Sequence, residues 1–99
     1  MQNLMDTVVN EHSGKKYSVS TVRKFPLKVW ETAIIRGGFL SGFSSKNFVY
    51  VEEVIGEFPE LILTNHANAC MMAKEQPEDQ WRMTFEEVRA RQSEAARLA

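Results

Sequence analysis

The sequence predicts an α+β domain: an antiparallel sheet of three or four strands packed by one or two helices on one face. Three observations carry this. Val29–Arg36 and Phe48–Ile55 (VWETAIIR and FVYVEEVI) are β-branched and aromatic runs with alternating sides, as strands require. Residues 59–74 (PELILTNHANACMMAK) repeat apolar groups at intervals of three and four, as an amphipathic helix does. A chain of 99 residues has room for one core, and a sheet with one face under a helix is a stable way to make it.

Taken in order, residues 1–12 admit three readings. Leu4, Met5, Val8 and Val9 fit a short helix, the run on to Val19 fits a hairpin about Ser13-Gly14, and a terminus can fray. Residues 16–24, rich in Val, Thr and Tyr, read as a strand that Phe25-Pro26 ends, since proline cannot donate to a ladder. In Val29–Arg36, Trp30, Thr32 and Ile34 share one face, and Val29, Glu31, Ala33 and Ile35 the other. Apolar groups on both faces predict a central strand. Residues 37–47 are long for a hairpin connection and carry Phe39, Leu40 and Phe43 among glycines and serines. Such a loop folds over the core or offers apolar groups to a partner.

Gly56 breaks the Phe48–Ile55 strand. Pro59 suits a first helical turn, with Glu57 and Glu60 favourable at its positive end. Ile62, Leu63, His66, Ala69, Cys70 and Ala73 form the expected apolar stripe, and Pro77 interrupts the helix. A last helix is expected from Thr84, whose spacing to Glu87 is that of a capping box, with Trp81, Phe85, Val88, Gln92 and Ala95 along one side. It would dock on the sheet, pair with a second subunit or fray.

Composition narrows the function classes. Cys70 is the only cysteine, which excludes an internal disulfide, CxxC redox chemistry and cysteine-based zinc clusters. A lone thiol and the absence of a signal-like start or a run of about 20 apolar residues point to a cytoplasmic protein without a membrane span. The net charge of −1 is unevenly spread: residues 1–48 hold seven Lys/Arg against three Asp/Glu, and residues 49–99 hold five against ten. That split can solvate separate faces, steer a partner or pair two copies.

His66 is the sharpest chemical lead, because helical spacing sets it between Ile62 and Cys70 in an apolar stripe. A buried imidazole needs a partner, and a sheet carboxylate from Glu31, Glu52 or Glu53 is the expected one. The pair would be an acid/base or ligand site, or else a structural bond fixing the helix on the sheet; no other group completes a catalytic set. Cys70, one turn after His66, reads as a buried structural thiol, since apolar surroundings raise a thiol pKa. His12, His66 and Cys70 have no recognised metal-ligand spacing, and the glycines do not make a phosphate loop, so neither metal nor cofactor is expected. Lys15, Lys16, Arg23, Lys24, Lys28 and Arg36, with Tyr17, Phe25 and Trp30 among them, suggest a surface for single-stranded nucleic acid. A pI of about 6.1 argues against it.

The runs WETAII (30–35), VYVEEV (49–54) and PELILTNHANAC (59–70) together resemble small bacterial proteins carried by phages and by mobile, integron-type gene cassettes. Those show an aromatic-Glu-Thr strand, a second strand and an acidic helix start leading to a histidine. There a glycine commonly precedes that histidine, where this chain has Asn65. The resemblance implies a small α+β domain of mobile-element origin and carries no activity with it. The expectation is therefore a binding or interaction protein, a homodimer held through Phe39, Leu40, Phe43, Trp30 or Tyr17. The alternatives are a ligand or enzyme site at His66 and nucleic-acid binding.

Overall fold

Alternation and turn chemistry set the sheet. In the computed structural model, which describes residues 1–37 and 47–81, the strands are β1 (Leu4–Val9), β2 (Lys16–Arg23), β3 (Val29–Arg36) and β4 (Phe48–Ile55). They form one antiparallel meander in the order β1-β2-β3-β4, so β3 is interior, as its two apolar faces predict. The first twelve residues resolve as a strand and its turn, the hairpin reading. Gly14 adopts φ +71° in that turn and donates its N–H to Asn10 O at 2.9 Å. Between β2 and β3 the Phe25–Pro26 peptide is cis, and Leu27 N–H donates to Lys24 O at 2.9 Å.

Helix α1 (Pro59–Glu75) follows β4 after Gly56, whose φ of +102° favours glycine. An added Cβ there would lie 2.5 Å from the exposed Phe58 ring, which would have to swing aside, so it is the backbone angle that asks for glycine. The helix buries Ile62, His66, Ala69 and Ala73. This 4-3-4 spacing is a narrower stripe than expected: Leu63, a hundred degrees round the helix from Ile62, is 49% exposed. A short α2 (Glu78–Trp81), not foreseen from the sequence, starts after Pro77 with Glu78 and Asp79 in its first turn and tucks Trp81 into the core. The helix expected from Thr84 and the loop bearing Phe39, Leu40 and Phe43 lie outside the described residues.

Pairing register and alternation place Tyr17, Val19, Thr21 and Arg23 of β2 on the α1 face, beside Trp30, Thr32 and Ile34 of β3. Tyr17, Val19, Ile34, Val49, Ala69, Ala73 and Trp81 make the larger core cluster; Trp30, Val54 and Ile62 make a second at the other end of the helix. The opposite face gathers Ala33, Ile35 and Val51. Each fully buried large aliphatic side chain, such as Ile62 or Ile34, contributes about 2 kcal/mol.

The last turn of α1 is closed by the β1–β2 hairpin. A helix leaves its final carbonyls without intrahelical donors. Here Glu11 N–H donates to Lys74 O at 2.9 Å, and Asn10 Nδ2 donates to Ala73 O at 2.8 Å and Gln76 O at 2.7 Å. His12 Nε2 lies 2.9 Å from Glu75 O. The Oδ1 of Asn10 accepts the N–H groups of His12 and Ser13 at 2.9 and 3.0 Å, so one buried carboxamide shapes the turn and caps the helix.

Candidate functional site

Three elements converge on His66. Its position in the buried stripe of α1 points the imidazole at the sheet, where alternation brings Asp6 of β1, Thr21 of β2 and Thr32 of β3 to the same face. His66 Nε2 lies 2.6 Å from Asp6 Oδ2, and His66 Nδ1 lies 2.7 Å from Thr21 Oγ1. Thr21 Oγ1 is in turn 2.8 Å from Thr32 Oγ1. For a neutral imidazole the consistent arrangement has Nε2–H donating to Asp6 and Nδ1 accepting from Thr21, which accepts from Thr32. Each hydroxyl both donates and accepts, so the threonine pair can reverse direction and serve the other tautomer equally.

The order carboxylate, imidazole, hydroxyl is that of an acyl-transfer triad, but exposure is inverted. Thr21 is 0% exposed, whereas the Asp6 side chain is 59% exposed. No substrate can reach the hydroxyl; the solvent side of the relay is its carboxylate. Cys70, half-buried one turn along α1, joins Asp6 and His66 with all three ligating atoms within 4.8 Å of one another. Burial first, and the Asp6 carboxylate second, push its thiol up to about 11, so the sulfur is neutral near pH 7.

The glutamates expected beside His66 are placed elsewhere. Glu31 faces away from α1, paired with Lys24 Nζ at 3.0 Å, and stands directly across from Glu53 on the same far face. Burial raises the Glu53 pKa, with Glu31 adding to it and Lys24 opposing. Glu52 shares the His66 face, opposite Thr32, but its oxygen accepts the Tyr50 hydroxyl at 2.8 Å. Asp6 is the carboxylate that reaches the imidazole. Tyr17 and Trp30, expected as contacts for a second copy or platforms for bases, are 1% and 4% exposed, covered by the chain's own helices. Tyr17 stacks edge-on against Trp81 at 5.0 Å and donates its hydroxyl to Glu78, which also binds Arg36 at 2.8 Å.

A second constellation lies where β2 and β3 meet the start of α1. Arg23 and Trp30 are cross-strand partners on the helix face, and with Met1, Glu57, Pro59 and Ile62 they line a cavity of about 350 Å³. That is at the small end of the range for ligand pockets. A cleft of about 180 Å³ beside Tyr50, Glu52, Asn65 and Asn68 falls below it. Among the described residues, Arg23 Nε and Trp30 Nε1 are buried donors without a partner, and both belong to the larger cavity's lining. Trp81 provides the contrast, its Nε1 donating to Gln76 O at 3.0 Å. Glu57 sits 3.3 Å from Arg23 Nη2, and the guanidinium lies 5.5 Å from the Phe25 ring centroid.

The same end holds the uncapped start of α1. Phe58 gives no side-chain cap, so the first-turn N–H groups lend positive character beside Pro59 and Ile62. Gly56 N–H donates to Lys28 O at 2.6 Å, which brings the two turns together with Phe25, Leu27 and Phe58 exposed at 79%, 63% and 59%. From the sequence, Arg23 stood out only as one cation in a basic run. Asp6, Thr21 and Thr32 gave no signal beyond their strand alternation.

No family model, curated protein or solved structure matches the chain. Among the described residues, no helix is long and apolar enough to cross a membrane.

Proposed function

We propose that the protein is a ligand-binding domain whose site is the Arg23–Trp30 cavity and whose ligand is a small organic carboxylate with an apolar body. The observation that carries this reading is the pair of buried, unpartnered donors in the lining of one cavity. A buried donor left unmade costs about 1–3 kcal/mol, which a bound acceptor recovers. Arg23 Nε–H and Trp30 Nε1–H would hold the carboxylate, and the positive end of α1 favours an anion there. Ile62, Pro59 and the exposed Phe25, Leu27 and Phe58 supply apolar surface for the rest of the molecule.

Titrating the ¹⁵N-labelled chain with phenylacetate and octanoate tests it. The Trp30 indole resonance should shift and saturate, while the indole of Trp81, already bonded to Gln76, should not. Trp30→Phe keeps a ring and removes the donor, and should weaken binding about tenfold, equivalent to about 1.4 kcal/mol. An unmoved Trp30 indole, or affinity unchanged in Trp30→Phe, defeats the reading. The exposed Phe25, Leu27 and Phe58 also favour a second reading, in which two copies pair through this end. Sedimentation showing a monomer at every concentration would exclude it.

A further inference from the structure

We propose that Asp6, His66 and Cys70 form a binding site for a single borderline divalent transition-metal ion of the zinc class. The site is separate from the Arg23–Trp30 cavity and does not depend on it. One oxygen, one nitrogen and one sulfur, all within 4.8 Å of one another, are the donor set such a cation takes. His66 and Cys70 stand four apart on α1, the spacing that turns two side chains of a helix to one point. Asp6 on β1 supplies the third ligand from across the interface.

The surroundings suit a ligand rather than a simple hydrogen-bonded pair. In metal sites the second nitrogen of a ligating histidine is held by an outer partner that fixes ring orientation and tautomer. Here Nδ1 is held at 2.7 Å by Thr21, itself backed by Thr32 at 2.8 Å, on a ring that is 7% exposed. The threonine hydroxyls rotate so that Nδ1–H donates inward, which frees the Nε2 lone pair for the metal. Nε2 and Asp6 Oδ2, now 2.6 Å apart, would separate to about 3.3 Å around a tetrahedral ion with bonds of about 2.0 Å. Asp6, on a sheet edge with 59% of its side chain exposed, has the freedom to make that move. Cys70 enters as thiolate and its proton passes to the buffer. Three protein ligands leave a fourth position facing solvent beside Asp6, the arrangement of an open site.

Titration of the full reduced chain with Co²⁺ tests this. The expected result is one equivalent bound, with a thiolate-to-cobalt charge-transfer band and intense tetrahedral d–d bands, both displaced by Zn²⁺. Cys70→Ser should lose the charge-transfer band. Asp6→Asn, at an exposed position that leaves the fold intact, should weaken affinity at least tenfold. Thr21→Val, which removes the positioning hydroxyl, should weaken it about 10- to 100-fold without moving the band. Zn²⁺ should raise the melting temperature of the unaltered chain and not that of Cys70→Ser. Absence of the charge-transfer band at stoichiometric Co²⁺ overturns the proposal. So does a band of unchanged affinity in Asp6→Asn, which would mean that Asp6 is not a ligand. Neither outcome bears on the carboxylate cavity.

Discussion

Replacing Asn10 by alanine tests the corner where the first hairpin meets the end of α1. The side chain makes two donor bonds to helix-end carbonyls, at 2.8 and 2.7 Å, and accepts two turn N–H groups at 2.9 and 3.0 Å. A net 0.5–1.5 kcal/mol for each would sum to about 4 kcal/mol. Gln76, His12 and Ser13 are exposed and can turn to water, which trims the loss, whereas the partner carbonyl at Ala73 belongs to a 0% exposed residue. The expected cost is about 3 kcal/mol, a large share of the 5–15 kcal/mol by which such domains are stable. It should lower the melting temperature by roughly 12 °C and shift the urea midpoint with the slope unchanged. Asn10→Asp separates the two roles. It keeps the acceptor for the turn but sets a carboxylate against two carbonyls, so at neutral pH it should be no more stable than the alanine variant. Acidification should return part of the loss as the carboxyl takes up a proton. An alanine variant within about 1 kcal/mol of the parent, or an aspartate variant as stable as the parent at neutral pH, would refute the capping argument.

Two further expectations concern titration. Burial first, then the hydrogen bond and charge of Glu78, raise Tyr17 from 10.0 to about 12. The folded state therefore holds this proton more tightly than the unfolded chain. That stability is fully present below about pH 10 and is lost as pH rises towards about 12, on the order of 2–3 kcal/mol. Urea denaturation across this range should show the slope, and Tyr17→Phe should flatten it. Glu53 faces Glu31 across the strand pair, and its raised pKa means that its ionised form works against folding. Glu53→Gln should stabilise the protein slightly at pH 7, and the gain should vanish in acid, where the parent carboxyl is protonated; an acid-insensitive gain would show that charge is not the cause.

The layers of this fold are legible in the sequence because β3 and β4 are concentrated β-branched and aromatic runs and the helix stripe repeats. β1 is harder to read, since the apolar pairs Leu4-Met5 and Val8-Val9 do not follow a period of two and fit one face of a short helix as well. What stays hidden is which sheet face the helix chooses. Trp30 and Glu31 are adjacent and both strand faces are apolar, so alternation alone allows either one to face His66. The helix takes the Trp30 face, which buries Trp30 and Tyr17 within the monomer and sends Glu31 and Glu53 to the far side. Asp6 could not be read as the partner of His66, because 60 residues separate them and an aspartate in a short strand looks like a solvated edge. Asn10 is likewise indistinguishable from an ordinary turn residue until the end of a helix is laid upon it.

The hairpin that caps α1 also orders the events of folding. Every strand of the meander pairs with its neighbour in sequence, so contacts within the sheet are local beside those that dock the helix. The Asn10–Ala73 and Asp6–His66 bonds instead span 63 and 60 residues, and loop-closure entropy favours making them after that ribbon exists to receive the helix. Asn10→Asp, which keeps the turn acceptor and loses the helix-end bonds, should then speed unfolding more than it slows refolding, while changes in the turn between β2 and β3 should act chiefly on the refolding arm of a chevron. A slowed refolding arm in the Asn10 variant would place helix docking before the transition state instead. On this view the corner acts as a latch on native-state lifetime, set by the two bonds that the Asn10 carboxamide donates to the end of the helix.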